Sequence, residues 1–147
     1  MKKIFMVFGL LFAFYSISLA EGWRTYGKGN IEVIDNYKND TDTYVAILRQ
    51  NGVEKISVGF GSDLSNLKQI MFQVDKNNIF VFTEFDFNGP IATTSGNKNY
   101  TEVPLLVSDM ALSEAKTLHI TFKFKKKEIT KKVSLKGARK AIYSSLY

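Results

Sequence analysis

Two carboxylates and one histidine are the first residues to test for chemistry. Glu84 and Asp86 stand two apart in the extended, apolar-rich run Ile79 to Phe87. On a single β-strand that spacing projects both carboxyl groups from one face. Such a pair can serve glycoside hydrolysis, with the separation of the two groups setting the stereochemical course. The same spacing also arises wherever a strand leaves the core for solvent, and no further site residues accompany this pair. His119 is the only histidine. It alternates with apolar residues and has no local Ser, Cys, Asp or Glu partner, so triad chemistry has nothing to build on. Asp35, Asp40, Asp42 and Asp63 do not reproduce the spacing of a calcium loop and are expected to be solvated. Gly59-Phe60-Gly61 lacks the third glycine and the helix of a dinucleotide site and is expected to be a turn. No cysteine occurs in the chain, which excludes disulfides, thiolate metal sites and lipidation at a cysteine. The catalytic candidates are therefore sparse. No cofactor or metal is implied, and the expectation is a binding protein and not an enzyme.

Charge supplies the stronger signal. Between Lys116 and Lys140 ten basic residues face a single acid, Glu128, whereas residues 21–115 hold eight basic and thirteen acidic residues. Such polarisation points to an anionic partner or to long-range steering. It also suits a lysine-rich face that keeps a sheet edge from pairing with other chains. The candidate partner-binding residues are Lys123, Lys125, Lys126, Lys127, Lys132, Arg139 and Lys140. Their partner is expected to be an anionic envelope component or an acidic protein, or a second copy of the chain. Nucleic acid is not expected, because the face interleaves threonine with lysine where stacking would need aromatics.

The elements that must position these residues are mainly strands. Met1 to Ala20 has the layout of a secretory signal: Lys2 and Lys3, an apolar run from Ile4 to Tyr15, and the small-x-small site Ser18-Leu19-Ala20. The run is too short to span a bilayer, so no membrane span is expected after cleavage. Residues 21–147 then form one exported domain, periplasmic or secreted, long enough to bury a core without staples. Trp23 to Tyr26 and Ile31 to Ile34 read as strands around Gly27 to Asn30. Trp23 is expected to pack inside. Thr43 to Gln50 and Val53 to Phe60 flank Asn51-Gly52, a type I′ hairpin signal. Ser62 is expected to cap a helical turn over Asp63 to Lys68. Gln69 to Val74 pairs with Ile79 to Phe87, whose doubly apolar start predicts a central strand. Pro104 confines Tyr100 to Val107 to an edge or bulge, with a short helix from Asp109 to Ala115. Leu118, Ile120, Phe122 and Phe124 face inward on the next strand, and Val133 and Leu135 on its partner. Lys123 and Lys125 are expected beside Thr130 and Lys132 as one basic strip. After Gly137 a helix presents Ala138, Ala141, Ile142 and Ser145 to the sheet, with Arg139 and Lys140 near its N-terminus. The fold class is mainly β: an antiparallel β-sandwich-like domain with a short helix before the last hairpin and a C-terminal helix.

The chain resembles small exported domains of the type VI secretion-associated VasI/TagO kind. Four features carry the likeness: Trp23 near the mature N-terminus; Asn39-Asp40-Thr41-Asp42-Thr43 leading into a strand; Phe72-Gln73-Val74-Asp75 at a strand end; and LLVSDMALSEAKTLHITFKFKKKEITKKVSLKGARKAIYSSL at Leu105 to Leu146. The layout is also similar to the invasion-associated locus B family. These families commonly carry cysteines and this chain has none. The resemblance implies a periplasmic, non-enzymatic, β-sandwich-like accessory domain.

Overall fold

The computed structural model describes residues 18–20, 22–38 and 41–144. Most of the expected leader, together with Asp40 and Ser145, lies outside the described residues. Eleven strands and three helices occur among those described. The seven-stranded sheet has the order β1-β2-β3-β4-β5-β9-β8, built from β1 (Ser18–Ala20), β2 (Trp23–Lys28), β3 (Ile31–Asp35), β4 (Tyr44–Gln50), β5 (Val53–Gly59), β8 (Phe85–Asn88) and β9 (Ile91–Thr94). The four-stranded sheet has the order β11-β10-β6-β7, built from β6 (Leu67–Val74), β7 (Ile79–Phe82), β10 (Thr117–Phe124) and β11 (Glu128–Ser134). All pairings are antiparallel. The helices are α1 (Lys98–Thr101), α2 (Val103–Met110) and α3 (Ala138–Tyr143).

Alternation places the core between the two sheets. Trp23, Ile34, Val45, Ile47, Ile56 and Val58 from one sheet meet Ile70, Phe72, Phe82, Leu118, Ile120 and Phe122 from the other, all buried. Apolar faces of this size can only be satisfied against one another, so the two sheets pack as a β-sandwich. Trp23 is fully buried, and its indole N–H donates to the Ser134 carbonyl across the sandwich at 2.9 Å. The 4→5 hairpin turns at Asn51 and Gly52, both with positive φ (53° and 76°), as a type I′ turn requires. The unit Thr117 to Tyr143 completes the core: β10 lies between β6 and β11, and α3 buries Ala138, Ala141 and Ile142.

Four expectations need correction. Ile79 to Phe87 is not one strand: it breaks at Thr83-Glu84, and its halves enter different sheets. β7 is an edge strand and not a central one, with Phe80 and Phe82 buried but Ile79 57% exposed. Only the Phe80 and Phe82 face is covered, while Ile79 and Val81 on the other face are exposed and half-buried.

Pro104 lies in the first turn of α2, where its missing N–H costs no helical bond. Val103, Leu106, Val107 and Met110 are buried at helical spacing. The helix therefore precedes the position expected for it, and Asp109 falls near its end.

Asp63 to Lys68 forms no helix. The Asp63 carboxylate accepts from the Ser65 N–H at 2.9 Å and the Ser65 hydroxyl at 3.0 Å, closing a local turn before β6. The fourth correction is the register of the last hairpin. Lys123 pairs with Glu128, Thr121 with Thr130 and His119 with Lys132.

Ser18–Ala20 pairs with β2 in the register Ala20 to Trp23. Cleavage after Ala20 would remove this three-residue edge strand and leave β2 at the margin of the sheet. Among the described residues no helix is long and apolar enough to cross a membrane.

Candidate functional site

The basic residues divide into an exposed tip and a set already engaged within the molecule. Lys125, Lys126 and Lys127 form the return between β10 and β11, closed by the Phe124 N–H donating to the Lys127 carbonyl at 2.9 Å. All three lysines are exposed. The Lys127 ammonium lies 5.2 Å from the centre of the Phe124 ring, so the partly buried aromatic steadies one side of the tip. Lys68, exposed on β6, joins them around a hollow of about 550 Å³ that Asn66 and Asp63 also line. Asp63 is the one acid there. Its hydrogen bonds from the Ser65 backbone N–H and hydroxyl hold its carboxyl below the usual range. Four cations against one engaged carboxylate leave this end of the sandwich strongly positive.

Lys68 was missed because it lies almost sixty positions before the tip and follows no charge run. The signal available was the pairing of Leu67 to Val74 with the last hairpin, which the sequence does not reveal.

The expected strip is not continuous. Lys123 forms an ion pair with Glu128 at 3.5 Å. Thr121 and Thr130 share a hydroxyl contact at 3.1 Å. Lys132 is exposed opposite half-buried His119. Lys131 pairs with buried Ile120 and so faces inward. Its ammonium reaches Asp42 at 2.8 Å and lies 5.0 Å from the centre of the Phe60 ring. Asp42 precedes β4, so this ion pair bridges the two sheets at the sandwich margin. The hydrogen bond from Lys131 holds the Asp42 carboxyl below its usual range.

Arg139 is turned to a structural contact: its guanidinium donates to the Ala111 carbonyl at 2.6 Å and lies 5.1 Å from the centre of the Tyr143 ring. Lys140 is exposed in the last turn of α3, where the helix dipole favours a cation. Arg139 and Lys140 are the second and third residues of α3, near its N-terminus as expected, and Lys140 also falls in the last turn because α3 is only six residues long.

Glu84 and Asp86 are separated by the sheet break. Glu84 precedes β8, with its carboxylate against Gly96, where a Cβ would meet Glu84 Oε2 at 2.7 Å. Asp86 lies on β8 opposite Thr93. Both are exposed, and they do not share the single strand face expected for a paired acid and base.

Asp35 is not a solvated loop acid. It is 1% exposed, and Arg24 grips it through Nε at 2.9 Å and Nη2 at 3.4 Å. The Arg24 guanidinium in turn lies 4.5 Å from the centre of the Tyr26 ring and 5.2 Å from that of Tyr37. The Tyr44 hydroxyl donates to Asp35 Oδ2 at 3.4 Å. Burial beside this carboxylate pushes the Tyr44 phenol far above its usual range and raises that of Tyr26. Nothing in the local sequence marks this cluster, because it is assembled across three strands and a loop.

No family model, curated protein or solved structure matches the chain.

Proposed function

We propose that this chain is a non-catalytic module of the bacterial envelope, exported to the periplasm or beyond, whose basic hairpin tip engages an anionic headgroup surface. The observation that carries this reading is the convergence of Lys68, Lys125, Lys126 and Lys127 on one hollow at the end of the sandwich. The lysines come from two elements far apart in sequence, so the cluster is more than a local charge run. The leader-like Met1 to Ala20 segment supports export, and the resemblance to the VasI/TagO kind supports an accessory role.

Each lysine near an anionic membrane surface contributes about 1 kcal/mol. Converting Lys125, Lys126 and Lys127 together to Gln should therefore weaken binding on the order of 100-fold. The test is co-sedimentation with phosphatidylglycerol vesicles, with phosphatidylcholine vesicles as the control. Binding should fall steeply with salt, since the screening length is about 8 Å at physiological ionic strength. Binding that is unchanged at high salt or in the triple variant refutes the reading. Capture of an acidic protein without vesicle binding would reassign the tip to protein docking. Loss of self-association in the triple variant, followed by light scattering, would reassign it to a second copy.

A further inference from the structure

The edges of the two sheets are protected in different ways. β7 and β8 are four residues each, too short to template a long pairing. β11 carries Glu128, Lys131 and Lys132 along its edge, and such charges discourage pairing. β2 has neither device: it is six residues long, rich in strand formers, and covered only by the three residues of β1.

The backbone geometry of β2 follows from its two turns. Two residues separate Ala20 from Trp23 and two separate Lys28 from Ile31, with Gly22 and Gly29 at φ of 83° and 65°. Two-residue hairpins close on a hydrogen-bonded pair, and such pairs alternate along an antiparallel ladder. Arg24, Tyr26 and Lys28 therefore bond to β3, while Trp23, Thr25 and Gly27 turn their N–H and C=O groups the other way. Ala20 and Ser18 of β1 stand opposite Trp23 and Thr25. The next step rests on the export reading: removal of the leader after Ala20 strips β1 from the sheet. The mature chain then carries backbone donors and acceptors on β2 with no strand beside them.

α3 turns that edge into a slot. It packs against both β1 and β2, so it overhangs the joint between them. Thr25 is buried beneath it, and the Thr25 hydroxyl donates to the Ala141 carbonyl. The helix is also held without help from β1, by Arg49 donating to the Ile142 carbonyl at 2.8 Å and Arg139 to the Ala111 carbonyl at 2.6 Å. The slot therefore persists when β1 leaves. Its occupant is limited by register: small residues, Ala20 and Ser18, stand opposite Trp23 and Thr25, with the larger Leu19 between them. A second copy does not fit, because pairing two β2 edges about a dyad would bring two copies of α3 over one joint. We propose that the mature chain binds an extended segment of a partner protein, small-x-small in sequence, antiparallel to β2 in the place that Ser18–Ala20 occupies. Main-chain hydrogen bonds supply the affinity, and the overhanging helix supplies the preference for small residues.

The test uses the ¹⁵N-labelled chain recovered after export, with its intact mass showing whether it begins at Glu21. A mass that retains Met1 to Ala20 would refute cleavage, and this proposal with it, before any ligand is added. The probe is the end-capped peptide Ser-Ile-Ser-Leu-Ala, which reproduces residues 16–20. Amide shifts are expected at Trp23, Thr25 and Gly27 and in α3, and they should persist at high salt, unlike vesicle binding by the basic tip. N-methylation of the peptide at the Ser18 and Ala20 positions removes two donors to β2 and should weaken binding by about tenfold or more. N-methylation at the Leu19 position, whose N–H points away from β2, should change binding by less than about twofold. The triple Gln variant of Lys125, Lys126 and Lys127 should bind the peptide normally, so failure of the tip reading leaves this one standing. Absence of shifts at Trp23 and Thr25 overturns the proposal, as does equal binding of the two methylated peptides. A doubled mass in light scattering, with β2 amides that shift on dilution, would overturn it in favour of a second copy.

Discussion

Trp23→Phe tests how the closing hairpin is fastened to the rest of the domain. The indole is fully buried and donates to the carbonyl of Ser134, the last residue of β11. Phenylalanine keeps an aromatic ring in the core but removes the donor and three heavy atoms. Lost burial of about two to three methylene equivalents costs roughly 2 kcal/mol. The lost hydrogen bond adds about 1 kcal/mol, since the carbonyl lies at a partly accessible margin where water can replace part of the contact. The expected loss is thus about 3 kcal/mol, measured by urea unfolding followed by far-UV circular dichroism. The denaturant slope should be unchanged, because the surface exposed on unfolding is nearly the same. In a thermal scan the midpoint should fall by about 10 °C. A loss below about 1 kcal/mol would refute the claim that Trp23 couples the two sheets. A large fall in slope would show instead that β11 and α3 had detached as a unit, and the two-state treatment would no longer apply.

Two further outcomes follow from specific contacts. The Asp42 carboxyl is held below its usual range by Lys131, so the stability it contributes is present above the unfolded carboxylate range and is lost as pH falls through the folded value. The thermal midpoints of wild type and Asp42→Asn should therefore differ at neutral pH and converge in acid, and Lys131→Met should remove most of that difference. A gap that widens in acid would contradict the sign. Gly59→Ala places a Cβ 2.4 Å from the Pro90 carbonyl oxygen, so the 8→9 hairpin must move. Overpacking of this kind costs about 1–3 kcal/mol, and the change should be visible as amide shifts in Ile91 to Thr94. An unchanged midpoint would mean that the hairpin yields freely.

The strand framework was largely legible because it rests on alternation. Leu118, Ile120 and Phe122 face the core as their period of two requires, and Asn51-Gly52 turns the hairpin that its backbone preference dictates. The errors arose where two local signals competed. Over Tyr100 to Val107 proline signals a strand interruption, whereas Val103, Leu106, Val107 and Met110 repeat at the helical period; the buried stripe prevails, with Pro104 in the first turn. The apolar run Ile79 to Phe82 suggests a strand covered on both faces, but a run of four cannot distinguish a central strand from an edge. The register of the last hairpin depended on which residues formed the turn, and a three-lysine return gave no backbone cue.

By itself the sequence determined the class: one β-rich unit built on period-two apolar residues, with its positive charge concentrated near the C-terminus. Those properties are local sums or short-range periodicities, so they survive without knowledge of neighbours. Only the tertiary structure decided which lysines act together. It added Lys68 to the tip, gave Lys123 to Glu128, turned Lys131 inward to Asp42 and engaged Arg139 with Ala111. It alone also aligned Arg24, Asp35, Ala46, Ser57, Thr93 and Asp86 across six strands. Strand order and register set those distances, and both follow from how the two apolar faces close on each other, which no short stretch of sequence encodes.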